Sequence, residues 1–129
     1  MKILLDTHVF LWWIMDDESL SPVARRTISN AENELYFSAA SAWEIAIKAG
    51  LGRIKLPSEI GTFIPGQLAE NSIIGLPVQI GHALRVSKLP QHHRDPFDRV
   101  LVAQAQVEKM PILTSDAEIS KYDVEVIWD

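Results

Sequence analysis

Asp95-Pro96-Phe97-Asp98-Arg99-Val100-Leu101-Val102-Ala103-Gln104-Ala105-Gln106-Val107-Glu108-Lys109-Met110-Pro111-Ile112-Leu113-Thr114-Ser115-Asp116 decides the fold. Its first four residues read as a helix start, with Asp95 as N-cap, Pro96 at the first helical position and Asp98 as a third-position acid resembling a capping box. The helix should end near Met110, and Pro111-Ile112-Leu113-Thr114 follows as a strand that finishes on an acid. A helix that delivers the chain directly to a short apolar strand is half of a βαβ unit. The same alternation extends to both ends of the chain. Lys2–Leu5 reads as a buried strand ending on Asp6, and Val9–Met15 as a helix apolar all round. Ser21-Pro22 opens a helix to about Asn30, Leu35–Ser38 is a strand, and Ala39–Ala49 is helical up to Gly50 and Gly52. A helical stretch from Pro57-Ser58-Glu59 towards Asn71 is expected to be interrupted at Gly61, Pro65 and Gly66. Ile73–Pro77 is a strand candidate, Gln79–Ser87 a short helix, and Val124–Trp128 a last strand. Strands alternating with helices from end to end indicate one α/β domain, residues 1–129, around a parallel sheet.

Composition agrees with that expectation. The 129 residues are 47% hydrophobic and 22% charged, with no cysteine. Disulfides, thiolate metal sites and thiol nucleophiles are thereby excluded. The longest apolar run, Val9–Met15, falls far short of the ~18–20 residues of a membrane span, and the Met1-Lys2-Ile3 start carries no signal-peptide pattern. A soluble cytoplasmic domain without membrane association is expected. The net charge of −5 argues against simple coating of nucleic acid. It leaves room for an enzyme that gathers carboxylates around a cation.

The carboxylates each carry a plain reading and a functional one. Asp6 and Asp116 end strands, where an aspartate is often only a helix N-cap. Glu44 lies in the apolar helix Ala39–Lys48, with Lys48 as its i,i+4 partner. Asp95 and Asp98 can both be explained as helix-start acids favoured by the dipole. Taken together the acids say more. In a parallel sheet Asp6, Asp95, Asp98 and Asp116 share the carboxyl edge, which is where open α/β sheets bind ligands, and Glu44 follows the second strand across it. Carboxylates brought together there repel one another unless protonated or offset by cations. All-oxygen ligands suit Mg²⁺ or Mn²⁺.

Positive charge gathers in two places. His82, Arg85, Lys88, His92, His93, Arg94 and Arg99 form one basic stretch, and Lys48, Arg53 and Lys55 another. Either could hold phosphates or be solvated surface. The histidine spacing matches no zinc motif. Thr7 and Ser115 adjoin the strand-end acids and could touch a cation's water or a phosphate, although both are ordinary turn residues. Phe10-Leu11-Trp12-Trp13-Ile14 has more apolar surface than one side of a sheet requires, so part of it is expected at an interface with a second copy or a protein partner, core packing being the plain alternative.

Asp6-Thr7, Trp43-Glu44, Asp98-Arg99-Val100-Leu101-Val102-Ala103 and Thr114-Ser115-Asp116 resemble, in this order and across nearly the whole chain, the motifs of PIN-domain nucleases, most closely the VapC toxins of bacterial toxin–antitoxin pairs. The resemblance implies a three-layer α/β/α domain with a central, mostly parallel sheet of four or five strands. It implies RNA cleavage with Mg²⁺ or Mn²⁺ held by Asp6, Glu44, Asp98 and Asp116, a cognate antitoxin that blocks the site, and a homodimer. Asp95 is an additional acid that could orient a ligand or simply cap the helix. Lys48, Arg94, Arg99, Thr7 and Ser115 are the candidate substrate contacts. The competing reading is a catalytically silent PIN-like module that binds a protein through its apolar first helix. A small-molecule phosphatase would need a lid, and no insertion is long enough to supply one.

Overall fold

The computed structural model describes residues 1–129. Five strands run β1 (Lys2–Leu5), β2 (Glu34–Ser38), β3 (Ile73–Leu76), β4 (Ile112–Leu113) and β5 (Val126–Ile127). They pair in the order β3-β2-β1-β4-β5, and every pair is parallel. Six helices connect them: α1 (Thr7–Ile14), α2 (Pro22–Ser29), α3 (Ala39–Gly50), α4 (Ile60–Glu70), α5 (Ile80–Arg85) and α6 (Pro96–Glu108). Short 3-10 turns at Val86–Lys88 and Ile119–Lys121 complete the connections.

The central strand shows why three layers form. Ile3, Leu4 and Leu5 are all fully buried, because strands alternate their side chains and helices cover both faces. Ile3 and Leu5 join Val9, Phe10, Ala24, Ile28 and Ile64 in one core, under α1, α2 and α4. Leu4 joins Leu101, Val102, Ala103 and Ala105 of α6, with Ile119 and Tyr122, in the other.

The strand order also locates a crevice. From β1 the chain steps outward through β2 to β3, then returns to place β4 on the opposite side of β1. The connections therefore diverge between β1 and β4, and ligands bind at the carboxyl ends of strands beside such a reversal. Asp6 follows β1 and Thr114 follows β4, with Leu5 paired to Leu113 immediately before them.

Local structure departs from the sequence reading at α4. It is continuous from Ile60 to Glu70 despite Gly61, Pro65 and Gly66. Pro65 removes one backbone donor, but Ile64 is buried and Ile60, Phe63 and Leu68 pack on the same core, so burial of one apolar face outweighs the helix breakers. The expected helix over Gln79–Ser87 divides into α5 and a 3-10 turn. In the crossover from β3 to β4, α6 stops where Lys109 takes a left-handed conformation, φ 56°.

The apolar first helix mostly turns inward. Val9 and Phe10 are buried, and the Phe10 ring lies 4.2 Å from that of Phe37. Trp12 meets Trp128 at 5.9 Å, while Trp13 Nε1 donates to Asn71 Oδ1 at 2.9 Å. The larger exposed apolar side chains are elsewhere, among them Trp43 and Leu51 around α3 and Ile80 and Leu84 on α5. Because the indole bond ties α1 to the end of α4, Trp13→Phe should cost about 1–2 kcal/mol. Urea unfolding would show this as a lowered midpoint at an unchanged slope.

Candidate active site at the carboxyl edge of the sheet

Asp6 occupies the N-cap position of α1, yet its side chain makes no capping bond. The carboxylate is buried at the strand end instead, where Thr114 donates to Oδ2 at 2.7 Å. The same Thr114 hydroxyl oxygen accepts the Asp116 backbone N–H at 3.0 Å, so one side chain fixes both strand-end acids. Asp116 Oδ1 in turn accepts from the Glu118 N–H at 2.9 Å. Asp6 is thus no helix cap, whereas Asp116 closes a local turn.

Glu44 reaches the same edge from the second turn of α3 and is buried. Its Oε2 accepts from Lys48 Nζ at 2.6 Å, the i,i+4 pair expected from spacing. Oε1 has no hydrogen-bond partner, and neither has Asp6 Oδ1. Burying a carboxylate oxygen without a partner is costly, so these two atoms require an explanation that structural roles do not give.

Asp98 stands in the first turn of α6, and Asp95 does the capping there, accepting the Asp98 N–H at 3.0 Å. His93 Nε2 lies 3.2 Å from Asp98 Oδ2. Desolvation, then the neighbouring Asp95 and Asp6 charges, push the Asp98 pKa up to about 7, while the His93 bond pulls it down and Asp116 adds to the rise. Burial also raises the Asp6 pKa, opposed by the Thr114 bond and His8 and reinforced by Asp116 and Glu44. The structure therefore brings Asp6, Glu44, Asp98 and Asp116 into one electrostatic field, with Asp95 at its margin.

Each of these four carboxylates is held through one oxygen, by Thr114, Lys48, His93 or the Glu118 amide, and makes no protein hydrogen bond through the other. As they stand, no three acid or histidine side chains converge closely enough to enclose a metal ion. Mutual repulsion explains this spread, since each acid settles on its nearest donor. The donor set still fits a hard divalent cation: the free atoms are all carboxylate oxygens, two of them buried and unpartnered.

Two expected substrate contacts lie elsewhere. Thr7 is buried and donates its hydroxyl proton to Ser41 Oγ at 2.7 Å. Arg99 is buried too, and Nη1 donates to Pro90 O at 2.8 Å and Tyr122 Oη at 3.0 Å. Neither is presented to a phosphate. Their position in a helix does not show this, because each acceptor lies outside the helix that carries the donor: Ser41 on α3, and Pro90 and Tyr122 in loops. His82 is likewise interior, bonded to Glu108 at 2.8 Å. Arg94 and Ser115 are exposed, and Lys48 is partly so while paired to Glu44. Thr114, His93 and Tyr122 are the residues whose roles at the site the sequence did not reveal. Each acts across 5 to 108 positions of chain, and only the β1–β4 pairing and the return of the loop before α6 bring them there.

The PIN domain family model matches residues 3–125. The chain is 31% identical over 121 residues to Ribonuclease VapC22 of Mycobacterium tuberculosis, covering 93% of this chain and 91% of that protein. Among solved structures it is similar to VapBC2 from Rickettsia felis bound to a promoter DNA fragment, with TM-score 0.74 and 13% identity, both chains being covered in full. It is also similar to FitAB bound to the IR36 DNA fragment, with TM-score 0.68 and 20% identity over 97% of this chain and 93% of that one. At those identities the two structures show the fold, and the sequence matches show the lineage. The chain belongs to the PIN domain family.

Proposed function

We propose that this protein is a divalent-cation-dependent endoribonuclease and the toxin of a toxin–antitoxin pair. The observation that carries the reading is the pair of buried, unpartnered oxygens, Asp6 Oδ1 and Glu44 Oε1, at the point where the sheet connections diverge. Similarity to a ribonuclease over nearly the full length supports the choice of substrate. Asp6, Glu44, Asp98 and Asp116 would hold Mg²⁺ or Mn²⁺. A bound cation of this kind supplies Lewis acidity for phosphodiester hydrolysis and offsets negative charge on the phosphate.

The chain's own residues do the positioning. Thr114 fixes Asp6 and the turn bearing Asp116, Lys48 steadies Glu44, and Asp95 sets the start of the helix that carries Asp98. Lys48, Arg94 and Ser115 are the proposed substrate contacts, of which the two cations counter the repulsion between RNA and the acids. The proposed partners are a cognate antitoxin, which similarity to the VapBC2 and FitAB complexes supports, and a second copy of this chain.

The test is incubation of the purified chain with mixed tRNA and an unstructured RNA, with Mg²⁺, with Mn²⁺ and with EDTA. Cleavage only in the presence of cation is the expected result. Cleavage that persists in EDTA would remove the metal from the proposal. No cleavage, together with no binding of Mn²⁺, would leave a silent protein-binding module.

A further inference from the structure

His93, half-buried in the loop before α6, faces the acids with each ring nitrogen engaged. Nδ1 lies 2.8 Å from Tyr122 Oη, and Nε2 lies 3.2 Å from Asp98 Oδ2. Tyr122 is itself buried and receives a second contact, from Arg99 Nη1 at 3.0 Å. The sequence groups His93 with cations available to RNA; the structure gives both of its nitrogens to the protein.

The proton directions follow from the chemistry of the three groups. A guanidinium only donates, so Tyr122 Oη accepts from Arg99. The phenol has one proton of its own, and the acceptor beside it is His93 Nδ1. A neutral imidazole that accepts at Nδ1 carries its proton on Nε2, the nitrogen facing Asp98. We infer that Arg99, Tyr122 and His93 form a one-way hydrogen-bond chain that makes His93 the positioning residue for Asp98, donating to Oδ2 and leaving Oδ1 for a cation.

The chain begins on α6 at Arg99 and returns to the same helix one residue earlier, at Asp98. Between them it passes through Tyr122 after the second 3-10 turn and His93 before the helix. The buried guanidinium also binds Pro90 O, so the loop bearing His93 is anchored by the group that orients its ring. His93 thus does for Asp98 what Thr114 does for Asp6. Partners of this kind fix the direction in which a ligating group faces a metal.

This inference rests on the reading of Asp98 as a cation-holding carboxylate, and its test separates the two. Two-bond ¹H–¹⁵N correlations of the metal-free protein at pH 8 report the ring tautomers directly. His93 is expected to carry a proton on Nε2 and none on Nδ1. His82, whose Nδ1 accepts the Gln79 N–H at 3.0 Å, provides an internal reference of the same form. Tyr122→Phe should weaken the tautomer preference of His93 alone and lower Mn²⁺ affinity by about 10–100-fold. His93→Ala should lose affinity to a similar extent. His93→Gln, whose amide can donate to the same oxygen, should recover most of it, which a purely packing role would not produce. A His93 proton on Nδ1, or a ring carrying both protons at pH 8, overturns the hydrogen-bond chain. Equal Mn²⁺ affinity in wild type, Tyr122→Phe and His93→Ala overturns the positioning role. If the wild type binds no Mn²⁺ at millimolar concentration, the metal reading and the positioning role fall together, and the tautomer alone decides the chain.

Discussion

Asp98→Asn is expected to abolish RNA cleavage and to erase stabilisation of the protein by Mn²⁺. A cation at 100 times its dissociation constant adds about 2.7 kcal/mol to the folded state. For a domain of this size that is roughly a 10 °C rise in melting temperature. An amide in place of the carboxylate keeps the shape and the helix but removes the charge at the centre of the cluster. Differential scanning calorimetry with and without Mn²⁺ would therefore show a shift in wild type and little or none in the variant. Equal shifts in both would remove Asp98 from the metal site.

The same variant has an opposite effect without metal. The folded protein holds the Asp98 proton up to about pH 7, whereas the unfolded chain releases it near the ordinary carboxylate value of 3.8. The folded state therefore binds more protons than the unfolded state between these values. The stabilisation from this group is fully present below about pH 4 and is lost as pH rises through 7. Asparagine does not ionise, so metal-free Asp98→Asn should be more stable than wild type at pH 8 and should depend less on pH. Some slope remains, because burial also raises the Asp6 pKa. A single substitution that stabilises the empty fold and disables the loaded one is the signature of carboxylates assembled for a cation rather than for stability.

Arg99→Ala should be among the most destabilising single changes in the chain, costing about 3 kcal/mol or more. Truncation strips donors from Pro90 O and Tyr122 Oη and opens a space beneath the loop before α6. The longer contacts to Val86 O and Leu89 O, at 3.4 and 3.5 Å, add less. Arg99→Lys restores the charge but not the planar fork, so it should recover only part of the loss. Arg94→Ala, on exposed chain a few residues away, should change stability by no more than about 0.5 kcal/mol. Urea midpoints of the three variants make the comparison. An unchanged midpoint for Arg99→Ala, with RNA binding weakened at low salt, would instead make Arg99 a phosphate contact.

The alternation of apolar strands with capped helices made the three-layer fold legible in the chain, because burial on both faces of a parallel sheet forces near-continuous apolar runs such as Ile3-Leu4-Leu5. The acids were legible for a related reason. Asp6, Asp98 and Asp116 fall at strand ends and a helix start, and topology sends those positions to one edge. At α4 the same local reasoning failed, since Gly61, Pro65 and Gly66 weaken a helix intrinsically but Ile60, Phe63, Ile64 and Leu68 bury one face of it. Local propensity is worth tenths of a kcal/mol to a few per residue, and tertiary burial can exceed it.

What the sequence determined by itself was therefore the class of fold, the order of its elements and the set of carboxylates. Which of those acids are caps and which are free was decided by the tertiary structure: Asp95 caps α6, while Asp6 occupies a cap position without capping. So was the difference between Arg94 at the surface and Arg99 inside, and the placing of Thr114 and His93 as holders of Asp6 and Asp98. Periodicity and capping act over a few residues and leave their mark in the chain. A hydrogen bond between Thr114 and Asp6, 108 residues apart, exists only once β1 and β4 have paired.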